Sequence, residues 1–507
     1  MQRQLLTFLL ALVSLVSPLC ATWSIILIDT RTGEIAIASA TCITNFNLLT
    51  GVPVLVVGKG AGAAQSMLDV SGNNRLLIRD QLRLGTDPVQ ILAMLAASDP
   101  QHQSRQYGIV DVSGRMIGFS GTANGAYASD RVGRFGDIAY AIQGNVLTSG
   151  AVLAAAEIAL FTTPGDLGEK LMAMMEAARS YGGDGRCSCA EENPTGCGSP
   201  PPGFTKSAHV GFMVIARRGD TDGNCNATLG CAGGSYYMRL NVVLGQVTSP
   251  DPVLQLRPLF ENWKASQIGI PDQILSTVVF DSPDLPTNGV TRTKGIIVLR
   301  DRTGTRIAHG GATVRVTVDP QSLGNATPGV VRDLGDGSYE FDVTAGVAPF
   351  PTRFVITVDD GHGTRILAPN PQIAVSTDRL WVNRRQLSAA AGGTIDFTVQ
   401  PRTVGGGNHL WIMLGSMSGT SPGVIIPPGF RLPLNVDTFF EATAAGVSSG
   451  LLPQFVGVTS PAGVSVTSLT LPPGVFTIPS GTDLSFAYVL LNPMTLTSNA
   501  VTVRITP

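Results

Sequence analysis

Charge is scarce in this chain. Asp, Glu, Lys and Arg together make up 14% of its 507 residues, against roughly 25% in an average globular protein. The formal net charge is −2, and no Lys/Arg cluster reaches the density of a nucleic-acid footprint, so nucleic acid is excluded as a partner. Histidine is rarer still: of five in the chain, only His102 and His209 precede residue 248. A Ser–His or Cys–His pair there would need one of them, and neither "QHQSRQ" nor "SAHVGF" has the pattern of a nucleophile elbow. Cysteine is absent after Cys231, and no Cys-x-x-C pair occurs, which disfavours a thiol-redox protein. Beyond the first twenty residues no segment is long and apolar enough to cross a bilayer.

Those first residues follow the grammar of a secretory signal. Arg3 is a minimal positive start, Leu5 to Leu19 is apolar, and the small residue Ala21 closes the segment. The apolar stretch is short for a span of about 20 residues, and a lipid-anchor cut before Cys20 would need a small residue where Leu19 stands. A signal peptide over 1–21 is therefore expected, with a secreted, periplasmic or cell-surface product. Its removal leaves Cys42, Cys187, Cys189, Cys197, Cys225 and Cys231. An even number in an exported chain points to disulfides, with 15 connectivities open to six thiols. "CSC" with "CGSPPPGF" invites a zinc reading, but the spacing lacks paired Cys-x-x-C knuckles. No metal and no cofactor are expected.

A chain this long predicts several domains, and its 59 glycines and 33 prolines suit turn-rich β structure. All the mature cysteines fall before residue 232, which sets a first domain at 22–247. Within it the hydrophobic period switches from strands to helices and back, twice. "TWSIILIDTRTGEIAIASATC" reads as two strands around Thr32-Gly33. "VPVLVVGKGAGAAQ" reads as a strand entering a Gly/Ala-rich turn. "NNRLLIRDQLRLG" and "DPVQILAMLAASD" read as helices, the second capped by Asp87 before Pro88. Helices buried between two mixed sheets fit this order better than a doubly wound parallel fold. A Pro-punctuated linker is expected over 248–284, with a short helical piece within 248–269. From about 270 only strands are expected: an immunoglobulin-like β-sandwich over 285–376 and a further β domain over 377–507. The predicted class is α+β, with two all-β sandwich domains after the mixed one.

A cut after Ala21 would give Thr22 a free amine. Such an amine, with an ordinary pKa of about 7.7–8, is partly neutral near pH 7 and able to take the proton of the hydroxyl on its own residue. Nucleophile and base then need no histidine. If Thr32-Gly33 turns a regular hairpin, Thr22 lies near Thr41 and Ser24 near Ser39, so short polar side chains surround the amine. Small Ser and Thr residues filling an ordinary strand explain the same pattern.

"TWSIILIDTRTGEIAIASATC", "GKGAGAAQS", "SRQYGIVDVSGRMIGFSG", "YAIQGNVL", "ARSYGGDGR" and "KSAHVGFMVIA", taken in order over 22–247, resemble an uncharacterised bacterial and archaeal domain family of unknown function. That family is placed in the N-terminal-nucleophile (Ntn) hydrolase superfamily. The resemblance implies a four-layer αββα sandwich whose nucleophile opens the first strand, here Thr22, and amide-bond cleavage as the superfamily's chemistry. Asn145, with Gln143 and Gly144 in "QGN", is the candidate oxyanion donor, since a carboxamide N–H beside a backbone N–H suits a tetrahedral intermediate; a turn-capping Asn is the competing role. "GGDGR" offers Asp184 and Arg186 near the site, or else a surface ion pair beside a disulfide loop. No lysine precedes Lys59, so the early active-site lysine of the proteasome branch has no counterpart. Two functions follow: a secreted amidohydrolase of a small-molecule, cell-wall or polymer substrate, or a non-catalytic exported binding or adhesion protein. A homo-oligomer is compatible with either.

Terminal sequencing of the mature exported protein is expected to begin at Thr22; any other start removes the chemical basis for the hydrolase.

Overall fold

A computed structural model describes residues 22–190, 193, 196–376, 378–401, 407–427, 429–448, 453–473, 479–491 and 496–507. The expected signal segment 1–21 lies outside these residues. The chain divides into two compact units, the first ending at Gln267 and the second running Ile268–Pro507.

In the first unit, strands β1 (Thr22–Asp29) and β2 (Ile35–Thr41) are joined at Gly33, whose φ of +77° suits a residue without Cβ. A short helix α1 (Leu48–Gly51) leads to β3 (Pro53–Val56) and β4 (Gly60–Ser66), followed by α2 (Asn73–Leu84) and α3 (Pro88–Ser98). Then come β5 (Arg105–Asp111), β6 (Met116–Ser120), β7 (Ser129–Phe135) and β8 (Ile138–Asn145). After α4 (Ala151–Thr162), α5 (Leu167–Ser180) and the single turn α6 (Gly185–Ser188), the unit closes with β9 (Val210–Ala216), β10 (Met238–Val242) and α7 (Pro252–Ser266). One sheet has the order β10-β9-β2-β1-β8-β7 and the other β3-β4-β5-β6.

Strand alternation sorts the side chains into layers. Trp23, Ile25 and Leu27 point from β1 into a core shared with Leu153, Leu171 and Met175 of α4 and α5. Ile26 and Ile28 point the other way, meeting Ala61, Ala63 and Val110 of the second sheet. The outer face of that sheet packs Val54, Val56 and Ile109 against Ile78 and Leu82 of α2 and Ile91 and Leu95 of α3. Two facing sheets thus lie between two helical layers, which corrects the expectation of helices between the sheets, because the apolar faces of β1 and β4 meet each other directly.

Two segments differ from expectation. Only Gly58 and Lys59 of "GKGAGAA" lie in a turn; from Gly60 the stretch is the fully buried strand β4. Its glycines admit helix α2: a Cβ at Gly62 would come 2.8 Å from Ile78, and one at Gly60 3.0 Å from Leu82. The stretch 248–284, expected as a linker, is structured. Asp251 caps α7 by accepting from Val253 N–H at 2.9 Å, and Val253, Leu256 and Phe260 are buried in the core above β1. Its later part, Thr277–Phe280 and Asp284–Pro286, forms strands of the second unit.

The second unit is mostly β. Thr277–Phe280, Arg292–Val298 and Ser338–Thr344 stand in one sheet, and Asp284–Pro286, Gln372–Ser376, Thr352–Asp359 and Thr313–Val318 in the facing one, around Ile297, Phe341 and Phe354. A further pair of sheets encloses Phe397, Trp411 and Phe486. Trp381 belongs to a strand of this second pair, yet it is buried in the core of the first and donates its indole N–H to the Asp284 carbonyl at 2.9 Å. The all-β expectation is corrected at Thr438–Ser448, which is helical. Phe439 of that helix packs where a side chain at Gly415 would stand, and Thr443 Oγ1 accepts from Gly415 N–H at 3.0 Å.

A fragment 268–507 is expected to unfold in one cooperative β-type transition, followed by circular dichroism against denaturant. A fragment beginning at 285 loses Thr277–Phe280 and the Gln273 carbonyl that Ala368 N–H bonds, and is expected to be the less stable of the two. Equal midpoints would overturn this boundary.

Candidate functional site

The layer between the two sheets of the first unit is apolar at one end and polar at the other. Thr22 and Ser24 share the face of β1 that carries Ile26 and Ile28, and β1 pairs antiparallel with both β2 and β8. Ser24 stands opposite Ser39, and the same register sets Thr22 beside Thr41. On the other side Thr22 is paired with Asn145, Trp23 with Gly144 and Ser24 with Gln143. Thr22, Ser24, Ser39, Thr41, Gln143 and Asn145 are all buried. The two hairpin neighbours proposed from the sequence therefore occupy the expected register.

Residues that the sequence reasoning missed complete the cluster from the facing sheet. Gln65 donates its amide to the Thr22 carbonyl at 2.9 Å and to Gln106 Oε1 at 2.8 Å, while its own oxygen bonds Ser24 Oγ. Ser24 also lies 2.9 Å from Ser39 Oγ, which donates to the Trp23 carbonyl at 2.7 Å. Gln106 Nε2 reaches back to the Gly144 carbonyl at 2.8 Å and to Ser120 Oγ at 2.8 Å, and Ser120 donates to Asp130 at 2.8 Å. The signal was present: "GAAQS" and "RQYG" each set a glutamine at the end of a small or alternating strand. Nothing in one sequence says that the two strands face β1.

Asn145 ends strand β8. Its Nδ2 donates across the sheets to Ser66 Oγ at 3.0 Å, and Ser66 in turn bonds the Asn124 carboxamide. Ser66 has φ +72° and Val146, next to Asn145, φ +54°, conformations that cost non-glycine residues on the order of 1 kcal/mol or more. Gln143, fully buried, has neither carboxamide atom paired among the described residues. Gly108 makes room for it, since any Cβ there would collide with that carboxamide.

Asp184 and Arg186 lie beside this cluster, and the surface reading of their ion pair is corrected: Asp184 is fully buried. Its carboxylate accepts the Cys42 N–H at 2.7 Å and caps α6 through the Arg186 N–H at 3.1 Å, with the Arg186 guanidinium at 2.8 Å. Gly185 N–H bonds the Val146 carbonyl at 2.9 Å. One carboxylate thereby ties the end of β2, just after Thr41, to the segment behind Asn145. The Cys42–Cys187 disulfide fastens the same two segments covalently, with Cα atoms 5.8 Å apart.

The other bridges are Cys189–Cys197 and Cys225–Cys231, which resolves the connectivity left open by the sequence. Cys42, Cys187 and His209 have their ligand atoms within 4.8 Å of one another, but both thiols are spent in the bridge, so the trio does not fit a metal in the oxidised protein. Burial and the neighbouring Lys206 push the His209 imidazole below its usual pKa.

Residues 22–190 match the family model described as "Family of unknown function (DUF1028)", and the motif "KSAHVGFMVIA" lies beyond that match. Among solved structures, a protein of Silicibacter pomeroyi described as a DUF1028 family-model structure is similar at 19% identity, over 49% of this chain and 94% of that one, with a TM-score of 0.34. The Escherichia coli adhesin FdeC is similar at 11% identity, over 96% and 97% of the two chains, with a TM-score of 0.21. Domains 5–6 of the S-layer protein SbsC are similar at 13% identity, over 45% and 96%, with a TM-score of 0.22. No curated protein matches this chain.

Gln65→Leu is expected to remove three bonds together, those to the Thr22 carbonyl, Gln106 Oε1 and Ser24 Oγ. The first unit should lose about 1–3 kcal/mol for each group left unpaired, read as a lower urea midpoint. An unchanged midpoint would mean that the cluster is not a structural tie.

Proposed function

We propose that this is an exported protein in two working parts, a C-terminal β half that binds and an N-terminal domain that carries an amidohydrolase-type site. For the chain as a whole the comparisons weigh toward binding or adhesion, because they name adhesins and S-layer domains and no hydrolase. The three disulfides suit an oxidising, extracellular compartment, and among the described residues no helix is long and apolar enough to cross a membrane. The hydrolase reading rests on one observation of its own: Thr22, the first residue of β1, is paired with Asn145 at the polar end of the layer between the sheets.

On this reading the two facing sheets and their helical layers are an Ntn-type αββα sandwich. Cleavage before Thr22 frees its amine. The amine takes the proton of Thr22 Oγ1, the oxygen attacks the carbonyl carbon of an amide, and an acyl-enzyme forms as the leaving amine departs with a proton. Water then releases the acid. Asn145 is proposed as the oxyanion donor; its link to Ser66 holds the carboxamide in place. Gln65 fixes the Thr22 carbonyl, and Ser24, Ser39, Thr41, Gln143 and Gly144 shape the surroundings. Asp184 and Arg186 act by position, holding the two strand ends together. The substrate is a small molecule or a cell-wall or other polymer bearing an amide, and the C-terminal half keeps the domain near it.

In protein verified to start at Thr22, Thr22→Ala is expected to abolish labelling by an acylating probe and turnover of acyl-amide substrates, while Thr22→Ser retains part of both. Acetylating the amine is expected to inactivate as well. Asn145→Ala should lower turnover by roughly 10²–10³ with the fold kept. Equal labelling of wild type and Thr22→Ala would place the nucleophile elsewhere, and no labelling or turnover at all would leave the binding function alone.

A further inference from the structure

The second unit holds a cavity of about 270 Å³ lined by Val279, Phe280, Asp281, Arg384, Arg385 and Gln386. Three other cavities described in the chain measure about 10 Å³ each, room for a single water. This one lies between two edge strands. Thr277–Phe280 ends one sheet of the first sandwich, and Gln386–Ser388 ends a sheet of the second. Its charges are unbalanced, with two guanidinium groups facing one carboxyl. The Nε of Arg384 is buried and has no hydrogen-bond acceptor, although guanidinium donors shut away from water are ordinarily paired. Gly393 leaves room for the Arg384 side chain, whose Nη1 lies 3.2 Å from where a Cβ there would stand.

The geometry points to a binding site for an acidic sugar, with Arg384 and Arg385 receiving the carboxylate and Gln386 and Asp281 meeting the ring hydroxyls. A planar carboxylate matches the fork of a guanidinium. The volume exceeds what a bare carboxylate or phosphate fills, and a single pyranose ring suits it. Val279 and Phe280 supply an apolar wall for the ring carbons. Burial pushes the Asp281 carboxyl above its usual pKa, against the pull of Arg384 and Lys294 and with Glu340 adding to the rise. The inference gives the binding half of the proposed function a ligand class, and it does not depend on Thr22.

The test titrates the full chain with sodium glucuronate, glucose, acetate and inorganic phosphate, followed by calorimetry. Saturable glucuronate binding is expected, with glucose, acetate and phosphate each weaker by about tenfold or more. Arg384→Gln and, separately, Arg385→Gln are expected to weaken glucuronate by about tenfold with an unchanged melting temperature. Asp281→Asn, which removes the charge and keeps the hydrogen-bonding shape, should bind at least as tightly as wild type. Absence of saturable glucuronate binding overturns the site. Acetate or phosphate binding as well as glucuronate overturns the sugar. Polygalacturonate retention that is undiminished in Arg384→Gln removes this site while sparing the binding function.

Discussion

Strand β1 is hydrogen-bonded on both edges, to β2 and to β8, and its two faces look into different layers. Trp23, Ile25 and Leu27 are locked under the helices, so Thr22, Ser24, Ile26 and Ile28 must face the second sheet. A slip of one residue would exchange the two sets and bury serine and threonine beneath α4 and α5. The register of this one strand therefore fixes which side chains meet across the layer. It decides that the chain's polar residues gather at one end of the layer and its isoleucines at the other.

Polar groups shut between sheets are costly unless they are paired. Here most of the pairing runs from sheet to sheet. Gln65 bonds the Thr22 carbonyl, Gln106 bonds the Gly144 carbonyl, and Asn145 bonds Ser66. The same contacts that offset burial also hold the strand ends in one geometry, which is what a reactive residue at the start of β1 would require. Asp184 and the Cys42–Cys187 bridge do this from behind. With a sequence separation of 145 between its cysteines, that bridge closes the longest of the three loops and contributes the most in chain-entropy terms, about 5 kcal/mol.

The second unit is built on a different constraint. Its strands alternate cleanly, and each sandwich has its own aromatic core, but Trp381 crosses from one to the other. That side chain with its bond to Asp284 and the buried Thr291–Thr398 hydroxyl contact join the two sandwiches, and the edge strands flanking the Arg384 cavity come from both.

Much of this was legible in the sequence. The two-residue period of "TWSIILID" and the Thr32-Gly33 turn give the hairpin and bring Ser24 opposite Ser39, because antiparallel pairing across a short turn leaves little freedom. Asp87-Pro88 and Asp166 mark helix starts through local hydrogen bonds, and even cysteine counting gives disulfides without their partners. Other features were decided only by tertiary structure. "GAGAA" looks like a turn until helix α2 is packed on it, and the helical piece within 248–269 looks like part of a linker until Val253, Leu256 and Phe260 find a core to enter. Gln65 and Gln106 acquire a role only because a second sheet, 40 or so residues further along, lies against the first. Local propensity is written in neighbouring residues, whereas a buried polar cluster is assembled from strands far apart in sequence, and burial alone makes each of its members depend on the others.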